Sequence, residues 1–191
     1  MTSKKSTLQD QYEKEVVKKL QTELNRKNVH AIPKLEKVKI NIGIGSWIRS
    51  GNKDFQPIID NLQDITGQKP ITNKSKKAIS NFKLREGMPV GLTVTLRKKR
   101  MYDFINKLVN VVMPRMRDFR GISTKGFDKN GNYNIGMNDV SIFPEVNLEN
   151  TEKIHGIQIT VNTSAKTPYE GYLLLKELGF PFKDEIKPPT K

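Results

Sequence analysis

Val90, Leu92, Val94 and Leu96 alternate with polar residues that include Thr93 and Thr95, the period of two of a strand with one buried face. Basic clusters stand at both ends of it. From Lys74 to Arg100 the chain holds Lys74, Lys76, Lys77, Lys83, Arg85, Arg97, Lys98, Lys99 and Arg100 against the single acid Glu86. That segment carries more than half of the formal net charge of +14. A strand anchored in a core, with a lysine loop before it and cations after it, is a rigid cationic surface. Such surfaces meet polyanions, of which nucleic acid is the commonest inside a cell. Charge kept only for solubility is interspersed in sign, not clustered.

The rest of the chain decides what holds that strand. Leu8, Tyr12, Val16, Leu20 and Leu24 recur every four residues, which predicts an amphipathic helix from about 8 to 27 closed by Asn28 and Pro33. From Leu35 to Gly43, Val38, Ile40 and Ile42 face one way and Lys37, Lys39 and Asn41 the other, as in a half-buried strand. Gly51-Asn52 reads as a turn, and Phe55, Ile58, Ile59, Leu62 and Ile65 mark a second helix stopped by Gly67. Pro70 to Asn73 reads as a short strand. Met101, Phe104, Ile105, Leu108, Val109 and Val112 form the stripe of a third helix that Pro114 ends or kinks. Tyr133–Met137, Val140–Phe143 and Ile154–Val161 read as further strands. Thr167-Pro168-Tyr169-Glu170 is a capping box that opens a last helix running to Gly179. The elements lack the regular βαβ alternation of a parallel sheet. The prediction is one α+β domain over residues 1–182, with a mainly antiparallel sheet, helices on one side and an exposed polar face. Residues 183–191 read as a flexible tail.

Several chemistries find no support. The chain has no cysteine, which excludes disulfides, thiolate metal sites and cysteine nucleophiles, and fits a reducing compartment. No signal-type apolar segment and no run of membrane-span length occurs, so a cytoplasmic protein without a membrane partner is expected. Gly43-Ile44-Gly45 follows a strand, but the third glycine of a dinucleotide fingerprint is missing and no helix is expected there; the glycines serve a bend. His30 and His155 lack metal-ligand spacing and read as turn or solvent-facing residues. Asp118, Asp128, Asp139 and Glu145 have the chemistry to hold Mg²⁺ in a nuclease, yet each neighbours a turn signal or an arginine, which favours capping and ion-pair roles. Neither a catalytic residue nor a metal nor a cofactor is expected.

The basic constellation says more. Arg97, Lys98, Lys99 and Arg100 open the third helix, where cations oppose the macrodipole at a cost of about 0.3–1 kcal/mol each. If strands 35–43 and 90–97 share a sheet, Lys39, Asn41, Thr93, Thr95 and Arg97 share its polar face. Short hydroxyls and amides flanked by cations suit ribose 2′-hydroxyl and phosphate contacts. Aromatic content is only 7% and no stacking motif occurs, so a folded RNA read by backbone and shape is favoured over single-stranded bases.

Five segments then align with one family: PKLEKVKINIGIG (33–45), ITGQKPITNKSKKAISNFKLREGMPVGLTVTLR (65–97), PRMRDFRGIS (114–123), KGFDKNGNYNIG (125–136) and IFPE (142–145). In content and order they resemble the universal large-subunit ribosomal protein five family, in its bacterial type, and LLKELGFPF (174–182) fits the same pattern. The resemblance implies a non-enzymatic α+β protein of the central protuberance of the large ribosomal subunit. It implies 5S rRNA binding by the sheet face, with Lys39, Asn41, Gln68, Lys69, Thr93, Thr95 and Arg97 as the site. It implies that the loop bearing Lys74, Lys76, Lys77, Asn81, Lys83 and Arg85 reaches 23S rRNA and the elbow of the P-site tRNA. Arg115, Arg117 and Arg120 are expected in an intersubunit bridge with small-subunit head protein thirteen, beside other central-protuberance proteins. Three departures stand out: RKKRM (97–101) where the family usually has RGERM, Lys153-Ile154-His155 before Gly156, and a longer tail after Phe182. The first adds charge and predicts an extra rRNA contact.

Overall fold

Alternation carries through to structure. The computed structural model describes residues 7–49, 54–117, 119–146 and 155–186. Along β1 (Leu35–Gly43), Leu35, Val38, Ile40 and Ile42 are buried while Glu36, Lys39 and Gly43 are exposed. With β2 (Ile71–Lys74), β3 (Pro89–Leu96), β4 (Tyr133–Met137) and β5 (Ile157–Thr163) it forms an antiparallel sheet in the order β2-β3-β1-β5-β4. β3 buries Leu92, Val94 and Leu96 and leaves Thr93 and Thr95 half-buried. A sheet with one apolar and one polar face takes cover on the apolar side only. The helices that accompany it are α1 (Thr7–Gln11), α2 (Val17–Glu23), α3 (Gly45–Arg49), α4 (Gln56–Thr66), α5 (Lys98–Lys107) and α6 (Pro168–Glu177). The α+β class and mainly antiparallel sheet agree with the sequence. No helix among the described residues is long and apolar enough to cross a membrane.

The chain forms two compact units. The first comprises Met1–Val38, Leu96–Ile135 and Thr160–Lys191; the second comprises Lys39–Thr95 and Gly136–Ile159. In the first, α1 passes through a π-helical stretch, Tyr12–Val16, into α2, and Leu8, Val16 and Leu20 are buried. α2 ends at Glu23, short of the expected 27, because Asn25 turns left-handed at φ 48° and sends Arg26 away from the helix axis. Arg26 Nη1 donates to the Ala31 carbonyl and Nη2 to Glu170 Oε1. α5 buries Met101, Tyr102, Phe104 and Ile105, and its stripe continues through a π-helical turn, Leu108–Val112, to Pro114. α6 opens as its sequence predicts: Thr167 Oγ1 accepts from the Glu170 N–H at 3.3 Å, with Pro168 first in the helix. Glu170 Oε2 reaches back one residue beyond the usual box, to the Lys166 N–H at 3.0 Å.

Phe127, Tyr133, Tyr172 and Phe182 gather in one aromatic cluster, with Phe127–Tyr133 centroids 4.5 Å apart and Tyr172–Phe182 5.1 Å apart. The Ile122 N–H donates to the Pro181 carbonyl and the Lys183 N–H to the Ile122 carbonyl, at 2.8 and 3.0 Å. Beyond them Glu185 pairs with Lys176 at 3.2 Å; residues 187–191 of the expected tail lie outside the described residues.

In the second unit, Ile58, Ile59, Leu62 and Ile65 of α4 are buried, each worth about 1.5–3 kcal/mol. Gly67 ends α4 at φ 65°, as expected of a left-handed C-terminal glycine. β2 pairs with β3 in the register Ile71↔Thr93 and Thr72↔Leu92. Two sequence readings need correction. A one-turn helix, α3, does open at Gly45, where none was expected. Val140–Ile142 is a 3₁₀ turn and not a strand, because Asp139 Oδ1 accepts from the Ser141 N–H at 2.7 Å and caps it. The turn at Gly51-Asn52, and Ile154 at the start of the expected strand, lie outside the described residues.

Candidate nucleic-acid interface

Register determines which polar side chains meet. Asn41 on β1, Thr93 on β3 and Asn73 on β2 point to the same face of the sheet. Asn73 Nδ2 donates to Thr93 Oγ1 at 2.6 Å, and Thr93 Oγ1 donates to Asn41 Oδ1 at 3.0 Å. The Thr93 hydroxyl therefore fixes both amides, Asn41 through the proton it donates and Asn73 through the lone pair it offers. Asn41 Nδ2 and Asn73 Oδ1 stay unpartnered among the described residues, one side a donor and the other an acceptor. Gly91, next on that face, lets β1 and β3 approach; a Cβ there meets the Ile42 carbonyl at 3.1 Å. Lys39 flanks the ladder and is exposed.

Gln68 and Lys69 follow the left-handed Gly67. Gln68 Nε2 lies 3.5 Å from the Thr95 carbonyl, which sets Gln68 beside the end of β3; Lys69 is exposed. The second unit thus brings together Lys39, Asn41, Gln68, Lys69, Thr93 and Thr95. Arg97 is the exception. It is the N-cap of α5 and falls in the first unit, with an extended backbone, φ -139° and ψ 163°, that continues β3 by one residue.

The lysine loop is ordered by its backbone. The Ser75 N–H donates to the Met88 carbonyl at 2.8 Å, and the Gly87 N–H donates to the Ser75 carbonyl at 2.9 Å. Ile79 pairs with Leu84, and the tip between them is a 3₁₀ turn, Ser80–Phe82, closed by Lys83 at φ 51°. Lys74, Lys76, Lys77, Asn81, Lys83 and Arg85 are all exposed, and none has a side-chain partner among the described residues. The loop is a cationic projection with a fixed course.

Arg115, Arg117 and Arg120, in the first unit, are exposed around the turn that follows α5. Two of the acids considered for metal binding, Asp128 and Asp139, serve turns. Asp128 accepts from the Asn130 and Asn132 N–H groups at 2.9 and 2.8 Å and from Asn132 Nδ2 at 2.8 Å. Burial pushes its carboxyl up, but these hydrogen bonds outweigh that and hold it below the ordinary value. Asp139 caps the 3₁₀ turn, and Asp118 lies outside the described residues. No three His, Asp or Glu residues gather for a metal among the described residues. His30 is exposed in a 3₁₀ turn capped by Asn28, and the His155 carbonyl accepts from the Val140 N–H at 3.2 Å.

Two features escape sequence reasoning. In the sequence Asn73 does no more than lead into the loop; its place in the ladder follows from strand register, which neighbouring residues do not encode. Phe82, 60% exposed, and Ile79, 44% exposed, put apolar surface on the cationic loop. The signal for Phe82 is an aromatic ring set between Asn81 and Lys83 in a loop.

Fold and face define the class, an α+β protein whose antiparallel sheet presents a polar face. Residues 28–85 match the family described as Ribosomal protein L5, and residues 89–182 match the model of that ribosomal family's C-terminus. The chain is 52% identical over 178 residues to the large ribosomal subunit protein uL5 of Desulfatibacillum aliphaticivorans, covering 93% of this chain and 99% of that one. It is 47% identical over 177 residues to the uL5 of Halothermothrix orenii, covering 93% and 98%. With the uL5 of Thermotoga maritima identity is 49% over 179 residues, covering 92% and 95%. The chain belongs to the uL5 family, structural constituents of the large ribosomal subunit.

Proposed function

We propose that this chain binds 5S rRNA through the polar face of its second unit and anchors it in the central protuberance. Lys39, Asn41, Gln68, Lys69, Thr93, Thr95 and Arg97 form the 5S surface. The loop residues Lys74, Lys76, Lys77, Asn81, Lys83 and Arg85 contact 23S rRNA and the elbow of the P-site tRNA. Arg115, Arg117 and Arg120 contribute to a bridge with small-subunit head protein thirteen.

One observation carries the reading: the Asn73–Thr93–Asn41 ladder presents amide groups in fixed orientation, flanked by an unpaired lysine. Hydroxyl and amide groups held this way suit the 2′-hydroxyls and base edges of a folded RNA, and the lysines suit its phosphates. The test is binding of the full chain to a 5S rRNA transcript and to an unrelated RNA hairpin of equal length. Sub-micromolar binding that favours 5S and weakens steeply with salt is expected. Equal affinity for both RNAs would sink the proposal.

A further inference from the structure

The lysine loop is a hairpin in two bonded parts. Its base is closed by the bonds of Ser75 to Met88 and Gly87. Its tip is closed by the Leu84 N–H, which donates to the Ile79 carbonyl at 3.1 Å, and the Lys83 N–H, which donates to the Ser80 carbonyl at 2.9 Å. Among the described residues no backbone hydrogen bond joins 76–78 to 85–86, the two arms between base and tip. The tip therefore keeps its own shape, but its angle to the sheet needs a contact from outside the loop. That contact comes from α3, the one-turn helix at Gly45. Arg49 Nη1 donates to the Phe82 carbonyl at 3.4 Å, and Arg49 Nε donates to the Gly45 carbonyl at 3.2 Å. α3 is itself tied down. The buried Ile44 donates its N–H to the Val90 carbonyl at 3.0 Å, and Trp47 Nε1 donates to the Asp54 carbonyl at 3.0 Å. Charge alone would keep Arg49 away, because the loop bears Lys76, Lys77, Lys83 and Arg85. What draws it in is the end of the 3₁₀ turn Ser80–Phe82, where open carbonyls suit a cation.

We infer that Arg49 is a positioning residue for the cationic loop: its guanidinium spans the Gly45 and Phe82 carbonyls and fixes the tip against α3. Two acceptors on separate segments call for two donors in a rigid fork, which arginine has and lysine lacks. A loop already held in one direction loses less freedom when it docks, so the brace raises affinity without touching RNA. That consequence rests on the reading of the loop as a 23S rRNA and tRNA contact; the brace itself does not. The inference gives a role to the short helix that follows the Gly43-Ile44-Gly45 bend, which the 5S face leaves unused.

The test compares the full chain with Arg49→Ala and Arg49→Lys. Chymotrypsin cleaves after aromatic residues in mobile exposed segments, so nicking at the Phe82–Lys83 bond reads the freedom of the braced carbonyl. Nicking is expected to rise about threefold to tenfold in both variants, the weight of one exposed hydrogen bond. The melting temperature should not move, since α3 keeps its bonds at Ile44 and Trp47. Both variants should bind a 23S rRNA fragment about threefold to tenfold more weakly, with the slope of log K against log salt unchanged and 5S affinity within about twofold. A slope lower by about 0.7–0.9 in Arg49→Ala would make Arg49 a phosphate contact and overturn the inference. Unchanged nicking in Arg49→Ala would overturn it too, as would full protection and full binding in Arg49→Lys, which leaves charge as the cause. Failure of the loop reading shows separately: Lys76→Ala/Lys77→Ala then binds the 23S fragment as the unaltered chain does, while the nicking result stands.

Discussion

The two units use their polar side chains in opposite ways. In the first, several polar groups turn inward and lock separate segments together. Arg26 joins the turn after α2 to Glu170 of α6, the Tyr12 hydroxyl donates to the Pro33 carbonyl, and the Tyr133 hydroxyl donates to the Ser123 carbonyl. In the second, polar groups turn outward. Asn41, Asn73 and Thr93 bond only to one another across the sheet, and the loop cations bond to nothing described. Inward polar groups act on stability, because a buried group stripped of its partner is costly. Outward ones act on binding. Substitutions at these inward and outward groups should therefore separate into losses of stability and losses of affinity.

The largest effect belongs to Glu170→Ala. Glu170 is 7% exposed, and its removal leaves Arg26 Nη2 and the Lys166 N–H without their acceptor. Breaking a buried pair from one side costs about 3–5 kcal/mol, and the partial exposure of Arg26 puts this case near about 3 kcal/mol. Denaturant unfolding measures it. Below the midpoint, affinity for RNA should match the unaltered chain; a loss of 5S preference in the folded variant would break the comparison.

Thr93→Val comes next. Valine keeps the shape and β-branching but removes the hydroxyl that orients both amides. With hydrogen bonds worth about 0.5–1.5 kcal/mol each, preference for 5S over the control hairpin should fall about tenfold. Stability should change by less than about 1 kcal/mol, and Thr93→Ser should restore the preference. Equal binding by the valine variant would separate the ladder from recognition.

That ladder also marks how far local sequence reaches. Strands β1 and β3, the stripe of α4 and the capping box of α6 are legible because period, glycine stops and caps act within a few residues. Lys39, Asn41, Thr93 and Thr95 are legible for the same reason, since alternation alone sets their face. The early end of α2 is not, because Arg26 leaves the helix for a carboxylate 144 positions away. Asn73 joins the ladder through the β2–β3 register, which local alternation does not encode. The helix at Gly45 and the 3₁₀ turn at Val140 escape on short segments, where a one-turn helix and a strand leave similar patterns.

The inward pattern has a pH signature. Burial pushes the Tyr12, Tyr102 and Tyr133 hydroxyls up to about 12, with further repulsion from Tyr102 and Glu13 at Tyr12 and from Glu13 at Tyr102. Unfolded tyrosines ionise near about 10, so the folded state holds protons that the unfolded state releases. The contribution of these groups is intact below about pH 10 and is lost as pH rises through about 12. Phenolate absorbance should rise late for three of the chain's five tyrosines, together with unfolding. A single ionisation step near pH 10 in a still-folded chain would contradict the burial argument.

The smallest effect on 5S binding should come from the most charged segment. Lys76 and Lys77 are exposed, unpartnered and carried on a loop whose course its own backbone sets. Lys76→Ala/Lys77→Ala therefore leaves the fold intact, and the melting temperature should not move. If the loop serves 23S rRNA and tRNA, 5S affinity should stay within about twofold, since exposed charges beyond a Debye length of about 8 Å are screened. On a 23S rRNA fragment the same variant should lower the salt slope by about 1.4–1.8, as two phosphate contacts require. An equal loss on both RNAs would mean that loop and sheet face bind as one continuous surface. In that case charge, and not the ladder, would be setting the affinity for 5S.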